Sequence, residues 1–468
     1  MKNYLFAILI ILICSVTFFA QTYNDATLQS VRQKDVQNRD AKGKLITLSV
    51  SEHIYRADVY STNRAFPEAR EHWDKVFQNY QNDAVNVPKA LFGTGRSYMW
   101  EREYALAVTF FDDLVRQYIS TKDGREGLAF KGSCLVRLGR NAEAAKVYQQ
   151  YISMFPTGER IDSAYLNTID ALREAGKYDD ANIWVEKTGQ RFVGSTPAVN
   201  ALFARLRMEI FRGKWDNAIK AGDDLRMLNN FSGSMTSLDE VVFLKAYALE
   251  KNGKKAEAIN FYSAIPDSGV SYFGGIATEK LNNLLDASKR QIVFDRQSKM
   301  RASAVKTSAS YPVLYKNELL RFAKSRNIDP RFVLAIMKQE SSFRANAKSP
   351  SAARGLLQLV MDTALKYNKQ CGLPDLQAEQ LYSPEININI GSFYIGELKR
   401  QFNLYEAIAA SYNGGEDNAQ RWLNRSKPKE NAIFTSEVGF SESKNYVFKV
   451  MNNYRVYREL YTEDLRRK

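Results

Sequence analysis

Histidine and cysteine are almost missing from this chain of 468 residues: two His, His53 and His72, and three Cys, Cys14, Cys134 and Cys371. A zinc site needs such ligands at short spacing, and none are so placed. A Ser-His-Asp or Cys-His mechanism would have to recruit a His from near the N-terminus. With 11 Pro, 25 Gly and 45% hydrophobic residues, the chain is neither collagen-like nor low-complexity nor disordered. Its length suffices for two or three domains with their own cores. If the chain is an enzyme, its acid–base chemistry therefore falls to carboxylates. These are the minority charge, 52 Asp+Glu against 66 Lys+Arg, and the formal net charge of +14 points to an anionic partner.

Long apolar runs are also scarce. The longest, Leu5 to Ala20, follows Lys2 and ends at a small residue before polar sequence. It is shorter than the roughly 20 residues a spanning helix needs, so residues 1–20 read as a secretory signal. Phe18 makes the cleavage site imperfect, and an uncleaved segment would hold the chain at a membrane. Bulky Ile13 argues against Cys14 as a lipidated cysteine. Cys134 and Cys371 read as two inert thiols and not as a disulfide.

Residues 21–85 read as a helical lead-in, and residues 86–286 as a repeat array. Turns at Arg102-Glu103-Tyr104, Gly139-Arg140-Asn141, Gly176-Lys177-Tyr178 and Gly213-Lys214-Trp215 lie 37 residues apart, with Gly253-Lys254-Lys255 following after 40. Five positions after each turn starts comes Ala107, Ala144, Ala181, Ala218 or Ala258, small enough for two helices to approach closely. A fixed period of helix–turn–helix units predicts a solenoid. Gly95, Tyr98, Ala107 and Phe111, then Gly132, Ala144, Tyr148 and Pro156, make these units resemble the tetratricopeptide repeat. Such arrays bind peptides or protein partners, or simply shape a larger molecule.

Polar, basic sequence at 287–310 reads as a linker to a second domain, 311–468. Residues 301–468 hold 26 Lys+Arg and 17 Asp+Glu, a net of +9, so most of the excess charge sits there. Export and the lack of any nucleic-acid motif favour an anionic cell-wall polymer over nucleic acid. Asp329-Pro330 predicts a helix start. Val333, Ile336, Met337 and Glu340 then share one face, with Arg331 and Lys338 on the wet side. A carboxyl on an apolar stripe loses hydration, and its pKa rises towards what a general acid needs. Downstream, Tyr405 to Ala410 reads as a helix stopping at Ser411-Tyr412-Asn413-Gly414-Gly415.

Glu340-Ser341, Ser349-Pro350, Gly355-Leu356-Leu357-Gln358, Ile386 to Gly391, Ser411-Tyr412-Asn413-Gly414-Gly415 and Glu442…Tyr446-Val447 follow one another in an order that resembles the soluble lytic transglycosylases. These have a goose-lysozyme-like catalytic domain behind an α-helical superhelix. The resemblance implies an all-α fold and an exported enzyme of the bacterial periplasm or cell envelope that needs no cofactor and no metal. It implies cleavage of the MurNAc-β-1,4-GlcNAc bond of peptidoglycan, leaving 1,6-anhydro ends. Glu340 would act as acid and then base, with Ser349, Gln358, Tyr412, Asn413 and Glu442 binding substrate. The sequence departs from the family pattern at Ala352, Leu357, Val360-Met361, Ser411, Gly414 and Gly439, none of them an acid–base group. A hydrolytic muramidase using Asp362 or Asp375 as base, and an exported glycan-binding scaffold without activity, are the alternatives.

Overall fold

The computed structural model describes residues 25–228 and 230–468, so the signal read at 1–20 and Cys14 lie outside the described residues. Within them the chain is all-α, its only extended pairing being isolated bridges such as Arg354 with Leu359. No described helix is long and apolar enough to cross a membrane. Cys134 and Cys371 are both free, and burial pushes the Cys134 thiol up to about 12.

Each expected turn is followed by a helix, starting at Tyr104, Asn141, Tyr178, Trp215 and Lys255. The turn glycines 139, 176, 213 and 253 all have φ between 68° and 79°, the left-handed conformation that ends a helix most cheaply with glycine. In the first unit Arg102 takes that conformation at φ 69°. A side chain there costs about 1 kcal/mol. Its guanidinium reaches across to Glu416 at 2.9 Å and to Asp417, residues 314 and 315 positions later. Between helices the packing follows the small residues: a Cβ on Gly132 would sit 2.5 Å from the Tyr148 ring.

Helices also pair within the stretch expected as a helical lead-in. Val50–Thr62 and Phe66–Asn79 form a helical pair whose Tyr60, Trp73 and Val76 share a core with Val87 and Ala90. Both histidines sit inside it. His53 Nε2 accepts the Leu48 N–H at 2.9 Å, so Nδ1 carries the proton and donates to His72 Nδ1 at 2.9 Å. His72 Nε2 donates to Asp35 at 3.1 Å, and Asp35 also accepts from Tyr60 and Arg56. A further proton on either ring breaks this chain, because it would set donor against donor. Burial and the His72 ring push His53 down to about 4. A depressed histidine contributes its stability above its ordinary value of 6.5 and loses it as pH falls towards 4. The melting temperature is expected to drop across that window, and less steeply in His53→Gln; calorimetry at pH 7, 5.5 and 4 measures the difference.

Residues 287–310, expected as a linker, are mostly helix: Gln291–Lys306 places Met300 and Ala304 in the core of the C-terminal half. The polar residues that suggested a linker cover its exposed faces. That core also gathers Phe332, Leu356, Ile388, Trp422 and Tyr457. The helix Tyr405–Gly414 runs four residues past the expected stop, because the break in backbone conformation comes only at Gly415, φ 85°.

The two halves are joined through buried charge. Glu437, 1% exposed, accepts from Arg173 and Arg207 of the array, both at 2.9 Å, while Arg425 donates to its carbonyl. Burial alone would raise this carboxyl; Arg173, Arg207 and Arg425 hold it below its usual range. Lys444 bonds Glu240 and the Met235 carbonyl, both at 2.7 Å, and desolvation lowers it to about 8 despite that partner.

Candidate active site

Asp329 caps the helix Pro330–Ser341 by accepting the Arg331 N–H, with Pro330 at the first position. Val333, Ile336 and Met337 are fully buried, as their spacing requires. Arg331 is buried too, contrary to the expected wet face: it forks onto Asp329 and donates to the Tyr461 carbonyl, because this helix packs on neighbours all round. Lys338 is half-buried and reaches the Ser310 carbonyl at 2.6 Å.

One turn beyond Met337, Glu340 is half-buried, and its Oε1 accepts the Tyr446 hydroxyl at 2.6 Å. Burial raises the carboxyl to about 7, the Tyr446 bond opposes the rise, and the negative Glu442 nearby adds to it. A carboxyl poised there donates a proton readily and takes one back near neutrality. Glu406 is also raised to about 7 by burial. It is 5% exposed, bonded to Tyr272 of the array and absent from the cleft, so it belongs to the packing between halves.

A cleft of about 1130 Å³ is lined by residues of both the C-terminal half and the array. Gln358, Tyr412, Asn413 and Glu442 stand on its wall. Glu340 is not among the wall residues, but it is within electrostatic reach of two of them, Glu442 and Tyr412. Tyr412 donates to the Leu357 carbonyl at 2.6 Å, and Asn413 accepts the Ser443 hydroxyl at 2.6 Å. Gln358 sits at φ 47° with its amide donating to the carbonyls of Gly355 and Ala347. Ser349 is not on the wall; its hydroxyl accepts the Ala353 N–H at 3.1 Å and closes a turn. In that turn Ala352 has φ 59°, the reason glycine suits its place. The two carboxylates considered as bases lie elsewhere: Asp362 is on the wall but paired with Arg64 at 2.7 Å, and Asp375 is exposed and off the cleft.

The excess positive charge is not on the cleft wall, which carries five Lys/Arg and seven Asp/Glu. Two residues of structural weight were within the quoted motifs but not picked out. Tyr446 lies four residues after Glu442, so one helix, Ser441–Leu460, brings both to Glu340. Asn387, fully buried, accepts the Leu357 N–H at 2.8 Å and donates to the carbonyls of Arg354 and Leu381, which fixes the Gly355 loop. A polar residue within an apolar helical run was its signal. The array side of the cleft had no signal in the sequence. No group of three or more His, Cys, Asp or Glu among the described residues is placed to hold a metal ion.

Residues 319–435 match the family model for the transglycosylase SLT domain, and residues 89–118 and 131–191 match tetratricopeptide-repeat models. The chain thus carries a tetratricopeptide-like solenoid followed by a helical domain that matches the transglycosylase model, the order its motifs resemble. Among curated proteins it is 34% identical over 144 residues to a soluble lytic murein transglycosylase of Salmonella typhimurium, and 33% identical to one of Escherichia coli K12. Each match covers 30% of this chain and 22% of the relative. It is 31% identical over 167 residues to the membrane-bound lytic murein transglycosylase C of Yersinia pestis, covering 30% and 46%. The matched region thus spans about a fifth of the length of the soluble relatives. The crystal structure of the 70 kDa soluble lytic transglycosylase of Escherichia coli aligns over 92% of this chain and 84% of that one, at 18% identity and a TM-score of 0.49.

Proposed function

We propose that this chain is a lytic transglycosylase that cleaves the MurNAc-β-1,4-GlcNAc bond of peptidoglycan in the envelope of a bacterium. The observation that carries this reading is Glu340, a carboxyl raised to about 7, held by Tyr446 and coupled to Glu442 on the wall of a cleft of about 1130 Å³. Protonated Glu340 gives its proton to the glycosidic oxygen, the C1–O bond breaks, and an oxocarbenium-like sugar forms. The resulting carboxylate takes the proton of the muramic C6 hydroxyl, whose oxygen bonds to C1 and closes the 1,6-anhydro ring. The proton returns to Glu340, no water is consumed, and a second carboxylate is not needed, unlike in ordinary glycosidases.

Tyr446 steadies the carboxylate between the two steps. Tyr412 and Gln358 shape the loop at the cleft, Asn413 offers an amide to an acetamido group, and the charge of Glu442 adds to the burial that raises Glu340. Ser349 supports the loop through its turn. A hydrolytic route has less support, because Asp362 is occupied by Arg64 and Asp375 is remote from the cleft.

Mass spectrometry of digested peptidoglycan tests the reading. Anhydro ends, one water lighter than reducing ends, are expected; reducing ends alone would replace it with hydrolysis, and no release with the scaffold. Tyr446→Phe removes the bond that favours the ionised form, so the Glu340 pKa should rise above about 7. The acid-requiring limb of the kcat/KM profile is then expected to move to higher pH. An unmoved limb would detach Tyr446 from Glu340.

A further inference from the structure

The cleft has two walls, and the sequence accounts for only one. The facing wall comes from the tetratricopeptide-like array, chiefly from the turn between the helices Asn86–Trp100 and Tyr104–Tyr118 and from the helix Lys122–Arg137. Two of its side chains are unlike the rest.

Trp100 is 50% exposed at the end of its helix and lines the cleft, with the Arg64 guanidinium 5.7 Å from its ring. Indole has a large apolar face that gains most when something flat and apolar covers it. The C–H face of a pyranose is such a surface. Arg137 differs from the other four cations that line the cleft. Arg64 pairs with Asp362, Arg102 with Glu416 and Asp417, Lys366 with Glu416, and Arg421 with Glu174. The Arg137 guanidinium instead donates to the Ser133 carbonyl and the Asn418 side-chain oxygen, with no carboxylate among the described residues in an ion pair with it. A guanidinium without a carboxylate, half-buried on a cleft wall, keeps its capacity for one.

We propose that the array wall is a second substrate-binding surface, in which Trp100 stacks on a sugar ring of the glycan strand and Arg137 pairs with a carboxylate carried by that strand. The occupant follows from continuity: the same cleft is walled opposite by Gln358, Tyr412, Asn413 and Glu442, so a strand lying against those residues meets the array as well. The inference rests on the proposed function, and it turns the array from scaffold into part of the site. Arg137 bonds Asn418 in the first turn of the helix Glu416–Arg425, which starts three residues after Asn413, so its anchor point lies beside the substrate-facing helix end and not at a distant rim.

The test uses the full chain. Glu340→Gln, as a non-cleaving background, is bound to purified peptidoglycan sacculi, alone and with Trp100→Ala, Arg137→Ala or Arg137→Lys added. Trp100→Ala and Arg137→Ala are each expected to weaken binding about tenfold, with Arg137→Lys recovering part of the loss. In the cleaving enzyme both should raise KM on sacculi with the product masses unchanged. On a chitin oligosaccharide, which has no carboxylate, competition for the cleft should weaken with Trp100→Ala and stay the same with Arg137→Ala. Binding and KM equal to the parent's in both alanine variants would overturn the inference while leaving the activity intact. A parent that neither binds nor cleaves sacculi would overturn the proposed function and the inference together. Circular-dichroism melting of each variant separates lost contacts from lost folding.

Discussion

Glu340→Gln is expected to reduce muropeptide release by about 10⁴-fold, at the upper end for general acid–base catalysis, because in the proposed mechanism one carboxyl serves both steps. The fold should survive, and the variant should be at least as stable as the parent at pH 8. Burial has raised this carboxyl from 4.5 to about 7, so the folded state disfavours its ionised form. That destabilisation is absent below 4.5 and grows as pH rises through 7, where an unfolded chain ionises freely. Gln removes it and can still accept the Tyr446 hydroxyl. Turnover on sacculi and melting curves at pH 5 and 8 measure both halves. Retained lysis, or a variant much less stable at pH 8, would remove Glu340 from its role.

The second large effect lies away from the cleft. Glu437→Ala leaves Arg173, Arg207 and Arg425 buried around a missing charge, an arrangement that costs about 3–5 kcal/mol. Because Arg173 and Arg207 come from the array and Arg425 from the domain, the loss should fall on both halves together. Denaturant unfolding is expected to show one transition at a markedly lower midpoint. A midpoint within measurement error of the parent's would mean that water or rearranged carboxylates such as Asp170 and Glu174 replace the lost charge.

The parts of the molecule that the chain spells locally were legible. A 37-residue period with glycine at each turn gives the solenoid, and the spacing from Val333 to Glu340 puts the carboxyl on an apolar face. Those signals depend on residues within one helix or turn. Arg331 was misread because its periodic position looks exposed; only the packing of the Tyr461 segment around it makes it buried. The helix at 291–306 was misread because a polar surface helix and a linker have similar composition. The second cleft wall could not be read at all. It depends on pairs such as Arg64 with Asp362 and Arg102 with Asp417, about 300 residues apart, for which the turn at 102–104 gives no local sign.

That turn has one more effect. An open solenoid is a row of nearest-neighbour units that can fray from either end. Here the early units are tied by Arg64 and Arg102 to the C-terminal domain, the middle ones by Arg173 and Arg207, and the last by the Arg455 bond to Asp267. Fraying from either end of the array must therefore first break a contact with the C-terminal domain. The two cleft walls are also joined directly, by the Arg64–Asp362 and Arg102–Asp417 pairs, so their separation is set by side chains that span it.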